Sequence, residues 1–142
     1  MKGIEIIELS NKIKNIYEHR YIDLCKEYSI NQTSLDIILF LSNNKQYNTA
    51  KDICEVRGIK SGIASVCVEK LIQKEYLKRV NDSNDRRINR IYLTTNSKEL
   101  VKKASKIQKE FFNELFENIS KEQVELFYNF VDVLENKVRE MK

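Results

Sequence analysis

The sequence predicts a mainly α-helical fold that contains one short β-hairpin. Long helices are indicated because the 142 residues include no proline and only three glycines, the two residue types that most often interrupt a helix. Over most of the chain, apolar residues recur at spacings of three and four, as in amphipathic helices. In residues 76–95, apolar and polar residues instead alternate around a polar segment, as in two strands joined by a turn.

The composition favours a soluble, cytoplasmic protein of one domain. Hydrophobic residues make up 42% of the chain and charged residues 32%, and no segment approaches the ~20 consecutive apolar residues that cross a bilayer. The N-terminal segment lacks a long apolar core and a small-residue cleavage site, so no signal peptide is predicted. Cys25, Cys54 and Cys67 form no CxxC pair, which favours reduced thiols over a disulfide framework or a zinc site with His19, and we expect no cofactor.

Positive charge is concentrated in the middle of the chain. Residues 45–95 contain 11 Lys and Arg against 6 Asp and Glu, a net charge of +5, whereas the other residues contain 14 against 15, a net charge of −1. This distribution is typical of a basic, DNA-facing segment on a neutral scaffold. A solvated charged surface without a partner would give the same count.

The first two predicted helices differ in how much of their surface is apolar. From about residue 4 to 28, apolar side chains repeat every three or four positions, which predicts one long amphipathic helix. Those positions are Leu9, Ile13, Ile16, Tyr17, Tyr21, Leu24 and Tyr28. In the next helix the apolar run between Leu35 and Leu41 is nearly continuous, which predicts a helix that is buried on most sides and ends at Asn43 and Asn44.

Two short helices joined by a tight turn are predicted next. Thr49 and Asp52 have the spacing of a capping box, which starts a brief helix that Gly58 can end in a left-handed turn. Ser61 can cap a second helix over about residues 62–74. Its inward stripe is predicted to consist of Ile63, Ala64, Cys67, Val68, Leu71 and Ile72, with Lys60, Gly62, Ser65, Glu69 and Lys70 outward or at the flank. This pattern is typical of a helix-turn-helix, although such pairs also occur as plain packing units.

A β-hairpin with a charged tip is predicted directly after the second short helix. The segments YLKRV and INRIYLTT are strand-like, and the alternation of Ile91 and Leu93 with polar residues places one face on the core. The tip between them is rich in Asn and Asp, which favour turns. Asp85 is placed to orient Arg87, two residues later, through a charge-assisted hydrogen bond. A solvated loop of ion pairs with no partner would have the same sequence.

The stretch KEYLKRVNDSNDRRINRIYLTTNSKEL resembles the wing of MarR-family transcriptional regulators, in which Asp-x-Arg at the tip is followed by a strand ending in Leu-Thr. The matching residues are Asp85, Arg87, Leu93 and Thr94. The order of the predicted elements also resembles that family along the whole chain: a long first helix, a buried second helix, a helix-turn-helix, a wing and two further helices. The resemblance implies a winged helix-turn-helix fold in an intertwined homodimer that binds a pseudo-palindromic operator.

The resemblance implies that residues 1–142 form a single subunit with two parts. Residues 30–95 form the winged helix-turn-helix DNA-binding lobe, and residues 1–28 and 96–142 contain the dimerisation helices. A heptad seam supports dimerisation, because apolar residues from Val124 to Met141 are separated by steps of 3, 4, 3, 4 and 3. Packing within one chain could satisfy the same seam. The expected dimerisation residues are Ile13, Ile16, Phe127, Val131, Leu134 and Val138.

The predicted function is sequence-specific DNA binding by a transcriptional regulator, a repressor released by a small ligand. Helix 60–74 is expected in the major groove and wing 81–88 in the minor groove. The expected DNA contacts are Lys60, Ser61, Gly62, Ser65, Asp85, Arg86, Arg87 and Arg90. Many members of the resembled family carry a basic residue in the middle of this helix, where this chain has Val66, so modest specificity is expected.

The resemblance also implies a small aromatic or anionic effector. Tyr17, His19, Arg20 and Tyr21 form a candidate site on the first helix, although tyrosines at helical spacing also serve as core residues. The alternative function is a winged-helix module that binds another protein without specific DNA binding, and it predicts no salt-dependent affinity for DNA. The sequence contains no HExxH, GxxxxGK[ST] or GxSxG motif, so no enzyme is predicted. No membrane partner is predicted either, because no segment is long and apolar enough to span a bilayer.

Overall fold

The computed structural model describes residues 3–141, which form a mainly helical fold with one antiparallel hairpin, as predicted. Compact packing divides the chain into two units, one up to Gln108 and one from Lys109. The predicted dimerisation segments also include Met1, Lys2 and Lys142, which lie outside the described residues. The elements are α1 (Gly3–His19), α2 (Ile22–Tyr28), α3 (Gln32–Asn43), α4 (Ala50–Glu55), α5 (Ser61–Gln73), β1 (Leu77–Asn81), β2 (Asn89–Leu93), α6 (Lys98–Leu115) and α7 (Lys121–Glu140), with a 3₁₀ turn (Thr95–Ser97) before α6.

The prediction of one helix from residue 4 to 28 is wrong, because the chain breaks between α1 and α2. The backbone N–H groups of Arg20 and Tyr21 bond to the carbonyls three residues earlier, both at 3.1 Å, which tightens the turn as in a 3₁₀-helix. Tyr21 has no exposed surface, and its hydroxyl donates to the Ala104 carbonyl oxygen at 3.0 Å. The break therefore coincides with the insertion of Tyr21 into the core.

Helix α3 forms the centre of the core, as its continuous apolar run predicts. The Asn31 side chain accepts a hydrogen bond from the Ser34 N–H at 2.8 Å and so caps the helix. All the surrounding elements of the lobe contribute to one buried cluster. Its members outside α3 are Tyr21, Leu24, Ile53, Ala64, Cys67, Val68, Leu71, Leu77, Ile91, Leu100 and Ala104. This shared core fixes the position of α5 and of the hairpin relative to α3.

The turn between α4 and α5 follows the predicted local signals with one exception. The capping box is present, since Asp52 N–H donates to Thr49 Oγ1 and Thr49 N–H donates to Asp52 Oδ2, both at 3.1 Å. Gly58 has φ = 82°, the left-handed conformation expected of it. The predicted Ser61 cap is wrong: Ser61 is the first helical residue, and Lys60 at the cap position makes no side-chain capping bond.

The predicted inward stripe of α5 is also partly wrong. Ala64, Cys67, Val68 and Leu71 are buried as expected, but Ile63 is 50% exposed. Consecutive helical residues differ by about 100° around the axis, so the direction set by the four buried residues places Ile63 at the edge of the outward surface. Sequence periodicity alone does not fix this rotation.

The hairpin is tied to the helical core by its second strand. The strands pair antiparallel with Leu77 opposite Leu93 and Asn81 opposite Asn89. Ile91 is buried, and its N–H donates to the Asn48 carbonyl oxygen at 2.7 Å, next to an isolated bridge between Thr49 and Arg90. Strand β2 is therefore anchored to the segment that precedes α4.

The unit from Lys109 contains the end of α6 and all of α7. Its aromatic rings cluster around Phe116, whose centroid lies 5.6 Å from those of Phe127 and Tyr128 and 6.4 Å from that of Phe112. Neither α7 nor α1 contains a buried residue. Within residues 3–141, no helix is both long enough and apolar enough to cross a lipid bilayer.

Candidate nucleic-acid interface

The outward surface of α5 is formed by small and apolar side chains. Ser61, Gly62, Ser65 and Val66 are all exposed, as are the predicted flanking residues Lys60, Glu69 and Lys70. Val66 is 54% exposed and Ile63 50%. Since the opposite side of α5 packs into the core, this surface is the part of the helix that can contact a partner.

The acidic residue on this surface is paired. Arg79 of β1 donates from Nη2 to Glu69 Oε1 at 2.6 Å. The pair reduces the repulsion that a carboxylate on this face would exert on DNA phosphates. Sequence reasoning missed Arg79, because a contact between a helix and a strand ten residues later has no local spacing signal.

At the wing tip, Asp85 holds Arg87 as predicted. Arg87 donates from Nε to Asp85 Oδ1 and from Nη2 to Oδ2, both at 3.0 Å, and its backbone N–H also donates to Oδ1 at 3.0 Å. The guanidinium beside it lowers the pKa of Asp85, and the same contact raises the pKa of Arg87. The Arg87 side chain nevertheless remains 90% exposed. The cation is thus oriented by its own chain and still accessible, and Arg86 next to it is exposed as well.

Arg90 lies on strand β2, beside the turn of the wing and not at its tip. Its Nε donates to Asp82 Oδ1 and its Nη1 to Asn48 Oδ1, each at 2.8 Å. Asp82 also accepts the backbone N–H groups of Asn84 and Asp85, at 3.1 and 3.0 Å, and its pKa is lowered chiefly by the bond from Arg90. These contacts favour a bracing role for Arg90 over a direct contact with DNA. Sequence reasoning missed Asn48, which lies 42 residues from its partner.

A further cation of the helix-turn-helix is directed toward the body of the lobe. Arg57, in the turn before α5, lies with Nη2 3.3 Å from Asp36 Oδ2 on α3. Burial raises the pKa of Asp36, and the bond from Gln32 and the charge of Arg57 oppose that shift. Arg57 therefore helps to hold the turn against α3.

The four residues predicted for an effector do not line one cavity. Tyr21 is in the core, and the Tyr17 hydroxyl accepts a hydrogen bond from Gln108 Nε2 at 3.0 Å. His19 lines a cleft of about 750 Å³ formed by α1, α2 and the start of α3. Arg20 is exposed between α1 and α2.

A second cleft, of about 570 Å³, lies between the end of α3, strand β2 and the start of α6. Lys45, Lys98 and Lys102 line it together with the apolar residues Leu41 and Val101. Sequence reasoning missed it because the residues at the end of α3 are distant in sequence from those of β2 and α6. Its lining combines positive charge with an apolar floor.

Comparison with known protein families agrees with the geometry of the helix-turn-helix and the wing. Residues 30–96 match a family model described as a winged helix DNA-binding domain. Residues 30–96 therefore form a winged-helix domain of the DNA-binding type, in which α4 and α5 form the helix-turn-helix and β1 and β2 form the wing.

Two further comparisons extend to most of the chain. The HTH-type transcriptional regulator SarZ of Staphylococcus epidermidis is 29% identical over 117 residues, 82% of this chain and 75% of the relative. The crystal structure of a MarR/EmrR family transcriptional regulator from Acinetobacter sp. ADP1 superposes with a TM-score of 0.80 at 27% identity, over 97% of this chain and 94% of that one. The chain is thus similar to MarR-family regulators over most of its length, and these comparisons identify it as a DNA-binding transcriptional regulator.

The fold also matches a structure solved in a DNA-binding conformation. S. aureus MepR in that conformation superposes with a TM-score of 0.83 at 20% identity, over 94% of this chain and 98% of that one. At that level of identity the match concerns the fold alone.

Proposed function

We propose that this regulator binds a roughly palindromic DNA site as a homodimer, with α5 in the major groove and the wing tip in the adjacent minor groove. One observation supports the proposal most directly: the exposed outward surface of α5 is followed in the chain by an exposed arginine, Arg87, which Asp85 orients. Recognition helices of this class contact base edges near their amino ends, where α5 exposes Ser61, Gly62 and Ser65.

The wing suits a narrow minor groove. Such grooves concentrate negative potential and attract inserted arginine. A free arginine loses side-chain entropy when it becomes fixed, but Arg87 is already held by two parallel hydrogen bonds. Part of that entropy is therefore lost before DNA arrives, and the guanidinium remains 90% exposed for the groove.

The exposed apolar residues of the terminal helices support the dimer. On α7, Phe127, Val131, Leu134 and Val138 are 50%, 39%, 46% and 63% exposed, and on α1 Ile16 is 52% exposed and Ile13 half-buried. Each of these helices exposes more apolar side chains than a soluble monomer usually leaves uncovered. A second copy of the chain would cover it, and two-fold symmetry is the commonest way to close such an interface.

Repression and its release by a small molecule complete the proposal. The lysine-lined cleft beside strand β2 combines cations with an apolar floor, which suits an anionic aromatic compound. Benzoate is a direct probe: it should weaken DNA binding by the wild-type chain and have less effect on Lys98→Ala. An equal effect on both proteins would remove this cleft from the proposal. In this proposal the protein acts by binding and not as an enzyme. It acts in the cytoplasm, where bacterial DNA is located.

The decisive experiment measures DNA binding as a function of salt. The probe is duplex DNA from the region flanking this chain's own coding sequence. Arg87→Ala should weaken binding about fivefold to 150-fold and reduce the slope of log affinity against log salt by about 1 for each phosphate that is no longer neutralised. Arg139→Ala is the matched control, because Arg139 is an exposed arginine paired with Glu135 at 2.6 Å on α7. If all three proteins bind equally and without salt dependence, the chain is a protein-binding module instead.

A further inference from the structure

The outward face of the recognition helix carries two exposed apolar side chains that the fold does not need. Val66 is 54% exposed and Ile63 50%, three residues apart and therefore neighbours on the helix surface. The core of the lobe is completed by Ala64, Cys67 and Leu71 on the other side of α5. The two side chains form an apolar patch on the side of α5 that faces away from the core, where an external partner can cover them.

Gly62 leaves open space in front of Val66. The two residues are four apart and lie in the same row of α5. A Cβ atom added at Gly62 would meet no heavy atom within 4 Å among the described residues, and Gly62 has no positive φ among the described backbone angles. Glycine is a poor helix former compared with alanine, and neither packing nor backbone conformation explains its presence at position 62. A partner that needs open access to Val66 would explain it.

The surroundings of these residues match DNA better than an apolar protein surface. Lys60 and Lys70 are exposed at either side of them, where they can contact phosphates, and Glu69 is already paired with Arg79. An apolar protein partner would not require cations at both flanks. The likeness of residues 30–96 to winged helix DNA-binding domains points to the same occupant.

The chemistry of α5 restricts which base-edge groups it can read. Guanine is most often recognised by Arg or Lys and adenine by Asn or Gln; no Arg, Asn or Gln occurs between Ser61 and Lys70, and the two lysines lie only at the ends of this segment. Serine hydroxyls bond to bases of either kind, so Ser61 and Ser65 do not restrict the sequence in this way. The one base-edge group in the major groove that an apolar side chain recognises is the C5-methyl group of thymine.

We infer that this regulator selects its DNA site by contacts of Val66 and Ile63 with thymine methyl groups in the major groove. The inference rests on the proposed placement of α5 in that groove. Each thymine contacted by an apolar side chain contributes the burial of about one methyl group, roughly a fourfold change in affinity. Two symmetric half-sites would each contribute this factor.

Replacement of thymine by deoxyuridine tests the inference, because it removes the methyl group and leaves base pairing unchanged. A binding site is first selected with the full chain from a random library of duplex DNA. The selected duplex is then made with deoxyuridine at single thymines of each half-site. Wild type should bind the best of these duplexes roughly fourfold more weakly per substituted half-site, whereas Val66→Ala or Ile63→Ala should bind the thymine and deoxyuridine duplexes alike.

Matched controls separate this contact from general effects. Ile22→Ala replaces a comparably exposed isoleucine, 41% exposed on α2, and should keep the full difference between the two duplexes. Circular dichroism of each variant verifies that it is folded. If deoxyuridine weakens binding equally in wild type and in both α5 variants, or in none of them, the methyl contact is refuted while DNA binding by α5 stands. If no duplex is enriched by selection, the proposed function fails and this inference fails with it.

Discussion

At the wing tip, the ion pair between Asp85 and Arg87 orients a cation rather than stabilising the fold. Exposed ion pairs contribute little to stability, and the Arg87 side chain is 90% exposed. The carboxylate accepts three hydrogen bonds from Arg87, one of them from its backbone N–H, so both the turn and the side chain are fixed. The lowered pKa of Asp85 means that this pair is complete above the ordinary value of ~3.9 and is lost only as pH falls through the lower folded value.

Asp85→Ala should therefore weaken DNA binding at neutral pH, though less than Arg87→Ala does. The variant frees the guanidinium and so increases the entropy that it loses on entering the groove. The informative measurement is a double-mutant cycle by fluorescence anisotropy, since Asp85→Ala should have no further effect in the Arg87→Ala background. Tighter binding by Asp85→Ala would mean that repulsion between the carboxylate and phosphate outweighs orientation.

At the scale of elements, the sequence predicts structure wherever the signal lies within a few residues. The capping box of Thr49 and Asp52, the left-handed Gly58 and the hairpin follow from short-range spacing, and the structure contains each of them. The break at Tyr21 and the rotation of α5 depend instead on which side chains the core accepts. For the same reason the partners of Glu69, Asp36 and Arg90 could not be predicted, since each contact joins segments that only the tertiary fold brings together.

Arg90 connects the turn of the wing to the rest of the lobe. This side chain joins the strand to Asp82 in the turn and to Asn48 before α4. Asn48 is only 8% exposed, and a buried polar group that loses its partner destabilises its surroundings. The orientation of the tip relative to α5 therefore depends on a residue that need not contact DNA.

Arg90→Ala should loosen the wing without unfolding the lobe. Hydrogen exchange should become faster at the amides of Asn84, Asp85 and Ile88, which bond within the turn, and DNA affinity should fall by less than it does in Arg87→Ala. Lys78→Ala, an exposed residue of the same hairpin, serves as the control and should change neither quantity. Unchanged exchange together with an affinity loss as large as that of Arg87→Ala would show that Arg90 contacts DNA directly.

At the scale of the whole molecule, the terminal helices present more apolar surface than one heptad seam requires. Beyond the predicted seam, Leu126, Phe130 and Val133 of α7 are 60%, 67% and 64% exposed. At about 100° per residue, these three side chains lie on a side of α7 different from that of Val131 and Leu134. The sequence thus predicts a seam that is narrower than the apolar surface of the helix, and a partner that wraps around α7 would cover both sides.

Charge placed on the seam should separate the proposed dimer and with it the two proposed half-site contacts. Leu134 is 46% exposed in the single chain, so Leu134→Glu leaves each subunit folded but would bury a carboxylate in the dimer, which is strongly unfavourable. Sedimentation should show a dimer for the wild type and a monomer for Leu134→Glu. Because two linked half-site contacts bind far more tightly than one, DNA affinity should fall by about 100-fold or more.

Asn136→Glu adds the same charge on the opposite side of α7 and should remain dimeric. A wild-type chain that sediments as a monomer while it binds a palindromic duplex would contradict the dimer, because the second half-site would then have no subunit to read it.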